Sequence, residues 1–126
     1  DDNPRSHYFY IEFDRGTEPL DQIANKVHGY RQHLRTGGFL KWLRRPDARV
    51  DDYPFRILFV IDTKDAAKRR DNICRGISEL GIETLTQFTT LPELIKDPLG
   101  AIWLSPKSYK ASLQPGAVPT PVSIFE

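Results

Sequence analysis

The sequence contains a single cysteine, Cys74, and no methionine among its 126 residues. One cysteine excludes an intrachain disulfide, a cysteine-rich zinc site and a Cys-x-x-Cys redox pair, so we expect a reducing, cytoplasmic environment. Cys74 stands between Ile73 and Ile77, where the simplest interpretation is a small buried residue. Because methionine is absent and the first residues carry no signal-peptide pattern, we expect the chain to be a fragment or a processed form of a longer protein.

Long apolar runs are also missing. The longest continuous run extends from Ile57 to Ile61, whereas a helix that crosses a bilayer needs about 20 apolar residues, so no membrane partner is predicted. The composition, 39% hydrophobic and 28% charged, is typical of globular proteins. We predict one domain over residues 1–113, followed by a proline-rich extended tail over residues 114–126.

The chain has almost no excess of charge of one sign, because 18 basic and 17 acidic residues leave a net charge of +1. The charges are nevertheless unevenly distributed. Between residues 26 and 49, seven basic residues stand against the single acid Asp47, which gives this segment a local charge of +6. Such a segment is suited to contact phosphate groups.

Aromatic residues are interleaved with these basic residues, namely Phe39, Trp42 and Tyr53. Basic and aromatic side chains together are typical of surfaces that pair with phosphates and stack on bases. The alternative is an ordinary solvated face with Trp42 in the core. We predict that DNA contacts the basic residues Arg31, Arg35, Lys41, Arg44 and Arg45.

Hydrophobic periodicity predicts an α/β architecture with a central mixed sheet flanked by helices. The predicted strands are residues 8–14, 55–61 and 82–88; the predicted helices are residues 19–35, 64–80 and, in a short form, 91–95. Over residues 39–53 we predict an irregular segment, because the signal for a short helix at Phe39, Leu40, Trp42 and Leu43 is followed at once by a turn signal at residues 44–47. A second group of basic residues on the helix of residues 64–80 is balanced by aspartates and is predicted to lie on the surface; it comprises Lys64, Lys68, Arg69 and Arg70.

Glu12 and Asp14 are two residues apart on the first predicted strand and therefore point to the same side of it. Two such carboxylates can hold a hard cation such as Mg²⁺. Lys26 lies on the following helix, from which its ammonium group can approach the acids and offset charge on a phosphate. Tyr30 is expected to be a core ring with its hydroxyl near the carboxylates. The alternative for the acid pair is an ordinary solvated surface.

The segment from Tyr8 to Glu18, followed by Lys26 and Tyr30, resembles the signature of bacterial replication-relaxation proteins, a family associated with plasmid replication and mobilisation. Two later segments, Phe88–Thr90 and Asp97–Trp103, also resemble that family. Members join an amino-terminal winged helix-turn-helix to a carboxy-terminal domain similar to the PD-(D/E)XK nucleases. The resemblance therefore implies a restriction-endonuclease-like core for this chain.

The resemblance also implies roles for three residues of the candidate site. Glu12 falls on the acidic position of the nuclease signature, Asp14 stands where a lysine is expected, and Lys26 would be the migrated lysine. The preceding acidic strand has no counterpart in this chain, so either it lies upstream or the site is incomplete. The implied function is Mg²⁺- or Mn²⁺-dependent hydrolysis of DNA, with Glu12, Asp14 and Lys26 as catalytic residues and Glu12 and Asp14 as metal ligands. The alternative is an inactive DNA-binding or dimerisation module of the same fold. A homodimer is one of the assemblies that we consider, and DNA is the expected partner.

Overall fold

The computed structural model describes residues 8–44, 55–79, 86–116 and 120–123. Strands and helices alternate through most of this part of the chain, as the periodicity predicts. The elements, in chain order, are β1 (Tyr8–Asp14), α1 (Leu20–Arg35), α2 (Gly38–Trp42), β2 (Phe55–Ile61), α3 (Ala66–Glu79), β3 (Thr86–Thr90), α4 (Leu91–Lys96) and α5 (Pro106–Ser112).

The three strands form one sheet in the order β1-β2-β3, and both pairs are parallel. The predicted α/β class is confirmed. The prediction of a mixed sheet is wrong for these three strands, which are all parallel. Antiparallel pairing among the described residues consists of two isolated bridges, Phe88 with Leu104 and Trp103 with Val122. The third strand, predicted over residues 82–88, is Thr86–Thr90, and residues 80–85 lie outside the described part.

Both faces of the central strand are covered, which explains its continuous apolar sequence. Phe55, Ile57, Phe59 and Ile61 belong to the larger core cluster, which also contains residues of α1 and α3. On the opposite face, the residues between them pack in a smaller cluster against the segment that follows β3; the cluster consists of Leu58, Val60, Ile102 and Trp103.

The edge strand β1 directs its polar side chains towards the helices. The parallel register aligns Glu12 with Phe59 and Asp14 with Ile61, so these acids lie on the face that α1 and α3 cover. The alternate residues Ile11 and Phe13 are 61% and 59% exposed. Polar and apolar side chains therefore do alternate between the two faces of β1. The polar face packs towards the helices because the register with β2 sets that orientation.

Helix α2 occupies the beginning of the segment that the sequence predicts to be irregular. It follows Gly37, whose φ of +78° is in the left-handed region that favours glycine, and it buries Phe39. The Phe39 ring contacts the rings of Tyr8 and Phe55, which anchors α2 at the amino ends of β1 and β2. Residues 45–54 lie outside the described part, so the rest of the prediction stays untested.

The chain after β3 packs back onto the sheet. Trp103 is buried, and its bridge to Val122 brings part of the predicted tail against the domain. Tyr109 of α5 is also buried. None of the helices in the described ranges has both the length and the apolar character of a membrane span.

Candidate functional site

Glu12 and Lys26 line one open pocket of about 470 Å³ between β1 and α1. The Lys26 Nζ atom lies 3.6 Å from Glu12 Oε2 and 2.7 Å from Glu18 Oε1. The predicted approach of the lysine to the first acid is thus confirmed. The hydrogen bond to Glu18 and the charge of Glu12 raise the pKa of Lys26, so its ammonium group stays charged at neutral pH.

Tyr30 closes the inner side of this pocket, which we call the Glu12 pocket. Its hydroxyl donates a hydrogen bond to Glu12 Oε1, as the sequence predicts, and its ring lies against the Tyr10 ring. Burial and the bond to Glu12 raise the pKa of the Tyr30 hydroxyl well above its usual value. Tyr30 is therefore a fixed donor that orients the carboxylate, and it keeps its proton throughout the neutral range.

Asp14 is held by a different cation from the one that approaches Glu12. The Arg69 Nε atom lies 2.8 Å from Asp14 Oδ2, and Arg69 Nη2 lies 3.0 Å from Asp14 Oδ1. The Gly16 amide also donates to Asp14 Oδ1, at 3.3 Å. Asp14 is only 6% exposed, so both of its oxygens are used inside the protein.

Glu12 and Asp14 therefore do not form a common cation-binding site in this geometry. Arg69 occupies both oxygens of Asp14, and the Tyr30 hydroxyl occupies one oxygen of Glu12, which leaves Glu12 Oε2 beside Lys26. Across the described ranges, no three histidine, cysteine, aspartate or glutamate side chains come together as a potential metal site. The described carboxylates thus do not fit the Mg²⁺ site that the spacing of Glu12 and Asp14 suggests.

The predicted DNA-contacting residues lie on α1 and at the end of α2. Arg31 is half-buried and Arg35 is exposed, one helical turn apart on α1, while Lys41 and Arg44 are exposed on either side of Trp42. Arg44 follows the end of α2 and has a φ of +61°, which is in the left-handed region. The fifth predicted residue, Arg45, lies outside the described part.

Trp42 is 67% exposed, so the alternative that places this ring in the core is wrong. The ring lies nearly parallel to that of Phe39, with 6.5 Å between the centroids and 19° between the planes. Because Phe39 is buried, it supports Trp42 from the protein side. Three exposed residues, Lys41, Trp42 and Arg44, thus stand within four consecutive positions, and we call them the α2 basic surface.

Two residues with a part in these contacts have no functional role in the sequence analysis. Arg69 is predicted to be one of several surface cations, yet it ties Asp14 to α3. Glu18 has no assigned role, yet its carboxylate binds Lys26 and its carbonyl accepts a 2.6 Å hydrogen bond from Arg69 Nη2. The structure buries the Asp14 carboxylate at the end of the edge strand β1, and a buried carboxylate needs a partner.

Comparisons with protein-family models, with curated proteins and with solved structures gave no significant match to this chain.

Proposed function

We propose that this chain is a DNA-binding domain of nuclease-like ancestry that belongs to a plasmid replication or mobilisation protein. The observation that supports the proposal most directly is the α2 basic surface, where an exposed tryptophan and two exposed cations stand within four consecutive residues. The proposal includes membership of the replication-relaxation family, a restriction-endonuclease-like core and DNA as the partner. It rests on the resemblance of the sequence together with this surface.

The α2 basic surface combines two kinds of interaction with a polynucleotide. Lys41 and Arg44 would neutralise backbone phosphates, a contribution that does not depend on sequence and weakens with salt. Trp42 would stack on an exposed base, which contributes about 1–3 kcal/mol per base in single-strand-binding proteins. Arg31 and Arg35 would extend the same cationic surface along α1. We therefore expect little sequence specificity.

Tryptophan fluorescence tests this surface, because the chain has two tryptophans in contrasting environments. Trp42 is 67% exposed, whereas Trp103 is 3% exposed. A single-stranded oligonucleotide should quench the emission of Trp42 on binding. In Trp42→Phe, where Trp103 is the remaining tryptophan, the quenching should vanish.

Affinity should be measured in parallel by fluorescence anisotropy of a labelled oligonucleotide. Trp42→Ala should weaken binding by about 1–3 kcal/mol if one base stacks on the ring. Leu113→Ala is the matched control, since Leu113 is 62% exposed and lies after α5. Equal affinities of the two variants would reject the α2 basic surface as the contact site.

A second candidate function, hydrolysis of phosphodiester bonds, is favoured by one observation: the 3.6 Å separation of Lys26 Nζ and Glu12 Oε2 in an open pocket. An ammonium group there would stabilise negative charge on a phosphate, and the carboxylate would orient a water molecule. Since the Mg²⁺ site does not fit the described carboxylates, this function would need acidic groups beyond Glu12 and Asp14. The first candidate has no such requirement.

Plasmid nicking in the presence of Mg²⁺ or Mn²⁺ separates the two candidates. Hydrolysis at the Glu12 pocket predicts nicking by the wild type that is lost in Glu12→Gln and kept in Glu93→Gln, which changes a carboxylate on α4. Calorimetry with the metal alone should then show heat that depends on Glu12. Absence of both signals would reject hydrolysis by this chain and leave DNA binding as its function.

A further inference from the structure

A second pocket, of about 340 Å³, lies where β1 and β2 end and α3 begins. The carboxyl ends of parallel strands meet at this edge, which is where open α/β sheets commonly bind ligands. Its lining is rich in cationic and polar side chains. They include Arg15, Thr63, Lys64, Asp65, Lys68 and Asn72. We call it the strand-end pocket.

Three of these side chains bring positive charge that the described protein does not neutralise. Arg15, Lys64 and Lys68 are exposed, and none of them forms an ion pair with a carboxylate in the described ranges. Asp65 is the one acid that lines the pocket, so these four side chains sum to +2. The pocket therefore favours a dianion or a polyanion.

Arg69 forms the inner wall of the strand-end pocket and is held in a fixed orientation. Its Nε and Nη2 groups donate to Asp14 and to the Glu18 carbonyl. Its Nη1 group has no hydrogen-bond partner among the described residues, so that edge of the guanidinium can serve a ligand. A guanidinium already fixed by other contacts loses little conformational freedom when it binds an anion.

The loop after β1 and the loop after β2 form the pocket, and they approach each other closely at Gly16 and Thr63. Gly16 has a φ of +80°, and a Cβ atom there would lie 2.9 Å from Thr63 Cγ2. The Thr63 hydroxyl oxygen is buried without a hydrogen-bond partner in the described part of the chain.

We propose that the strand-end pocket binds a phosphate group through Arg15, Lys64, Lys68 and the Nη1 edge of Arg69. A phosphate group offers several acceptor oxygens and up to two negative charges, which match the summed +2 charge of Arg15, Lys64, Asp65 and Lys68. The phosphate can come from a nucleic acid or from free phosphate. Only the choice of a nucleic-acid source rests on the proposed function.

Titration of the full chain with inorganic phosphate, followed by amide NMR shifts at Gly16, Lys64 and Asp65, tests the pocket without DNA. The double variant Lys64→Gln/Lys68→Gln should bind phosphate about tenfold more weakly, because each lost cation–phosphate contact costs up to about 1 kcal/mol. The control, Lys96→Gln/Lys107→Gln, loses the same charge from exposed positions on α4 and α5.

Equal phosphate affinity in the two double variants, or no saturable shift in the wild type, would overturn the proposal. Oligonucleotides of one sequence with a 5′-phosphate or a 5′-hydroxyl identify the source. Tighter binding of the phosphorylated form, dependent on Lys64 and Lys68, indicates a terminal phosphate, and equal binding with the same dependence indicates a backbone phosphate. Phosphate binding that persists when both oligonucleotides fail to bind would support the pocket while refuting the proposed function.

Discussion

At the scale of single residues, Arg69 connects the elements around the carboxyl end of β1. It joins three parts of the fold, because it lies on α3 and binds both the Asp14 carboxylate at the end of β1 and the Glu18 carbonyl just before α1. Asp14 and Arg69 are largely removed from solvent, with 5% and 18% of their side chains exposed. Replacing one partner of such a pair by an uncharged residue lowers the stability of the fold, since the other charge is then buried without a partner.

We predict that Arg69→Met destabilises the domain by about 3 kcal/mol. Urea denaturation followed by circular dichroism measures this change. The matched control is Arg70→Met, because Arg70 pairs with the more exposed Asp71 and Glu93, and we expect a loss of about 0.5 kcal/mol there. Similar losses in the two variants would show that the Asp14 pair has no special role.

Cys74 gives the domain a pH-dependent stability. Burial raises the pKa of its thiol to about 12, whereas an unfolded thiol titrates near 8.5. Because the unfolded thiol loses its proton first, the buried thiol stabilises the folded state fully at pH values below the unfolded pKa. This stabilisation is lost as the pH rises from the unfolded pKa to the folded pKa. The free energy of unfolding should therefore fall by about 1.4 kcal/mol per pH unit between about pH 9 and 10.

Denaturant titrations at several pH values test this dependence. Cys74→Ala should be less stable at neutral pH but should show a flatter profile between about pH 9 and 10. Tyr30→Phe is a suitable comparison, because the Tyr30 pKa is also raised but an unfolded tyrosine titrates only near pH 10. An unchanged slope in Cys74→Ala would refute the assignment.

At the scale of secondary-structure elements, the connections at the two ends of α1 rely on glycines with positive φ. Gly16 and Gly37 have φ values of +80° and +78°, a region that other residues adopt at a cost of about 1–2 kcal/mol. They differ in their surroundings. A Cβ at Gly16 would lie 2.9 Å from Thr63 Cγ2, whereas a Cβ at Gly37 would have no atom within 4 Å.

This contrast predicts that Gly16→Ala is more destabilising than Gly37→Ala. Both variants should lose about 1–2 kcal/mol through backbone strain, and Gly16→Ala should lose more through the clash with Thr63. Thermal unfolding of the two variants and the wild type measures the difference. A melting temperature of Gly16→Ala equal to or above that of Gly37→Ala would contradict the close packing of the two loops.

The longer elements were predictable from the sequence because their signals are local. Strands β1 and β2 occur at residues 8–14 and 55–61 as predicted, and α1 begins at Leu20, one residue from its predicted start. Helix α2 was not predicted, since a helix of five residues spans little more than one turn and carries little periodicity.

The partners of the site residues were only partly predictable. Tyr30 and Lys26 lie one helical turn apart on the side of α1 that faces β1, so their approach to Glu12 follows from local spacing. The ion pair between Asp14 and Arg69 could not be predicted from the sequence. These residues are 55 positions apart, and only the packing of α3 beside the end of β1 brings them together.

At the scale of the whole molecule, cationic groups lie at both ends of the sheet and the Glu12 pocket lies between them. The α2 basic surface is anchored at the amino ends of β1 and β2, and the strand-end pocket lies at their carboxyl ends. A strand of seven residues separates the two by roughly 20 Å. This distance corresponds to about six base-pair steps of duplex DNA.

The dependence of DNA affinity on salt tests the central claim, contact through the α2 basic surface, most directly. The slope of log K against log salt falls by about 0.9 for each lost phosphate contact on duplex DNA. Lys41→Gln/Arg44→Gln should therefore reduce the slope by about 1.8 relative to the wild type. Lys96→Gln/Lys107→Gln, with the same net charge, should leave the slope unchanged. Identical slopes in the two double variants would contradict the account.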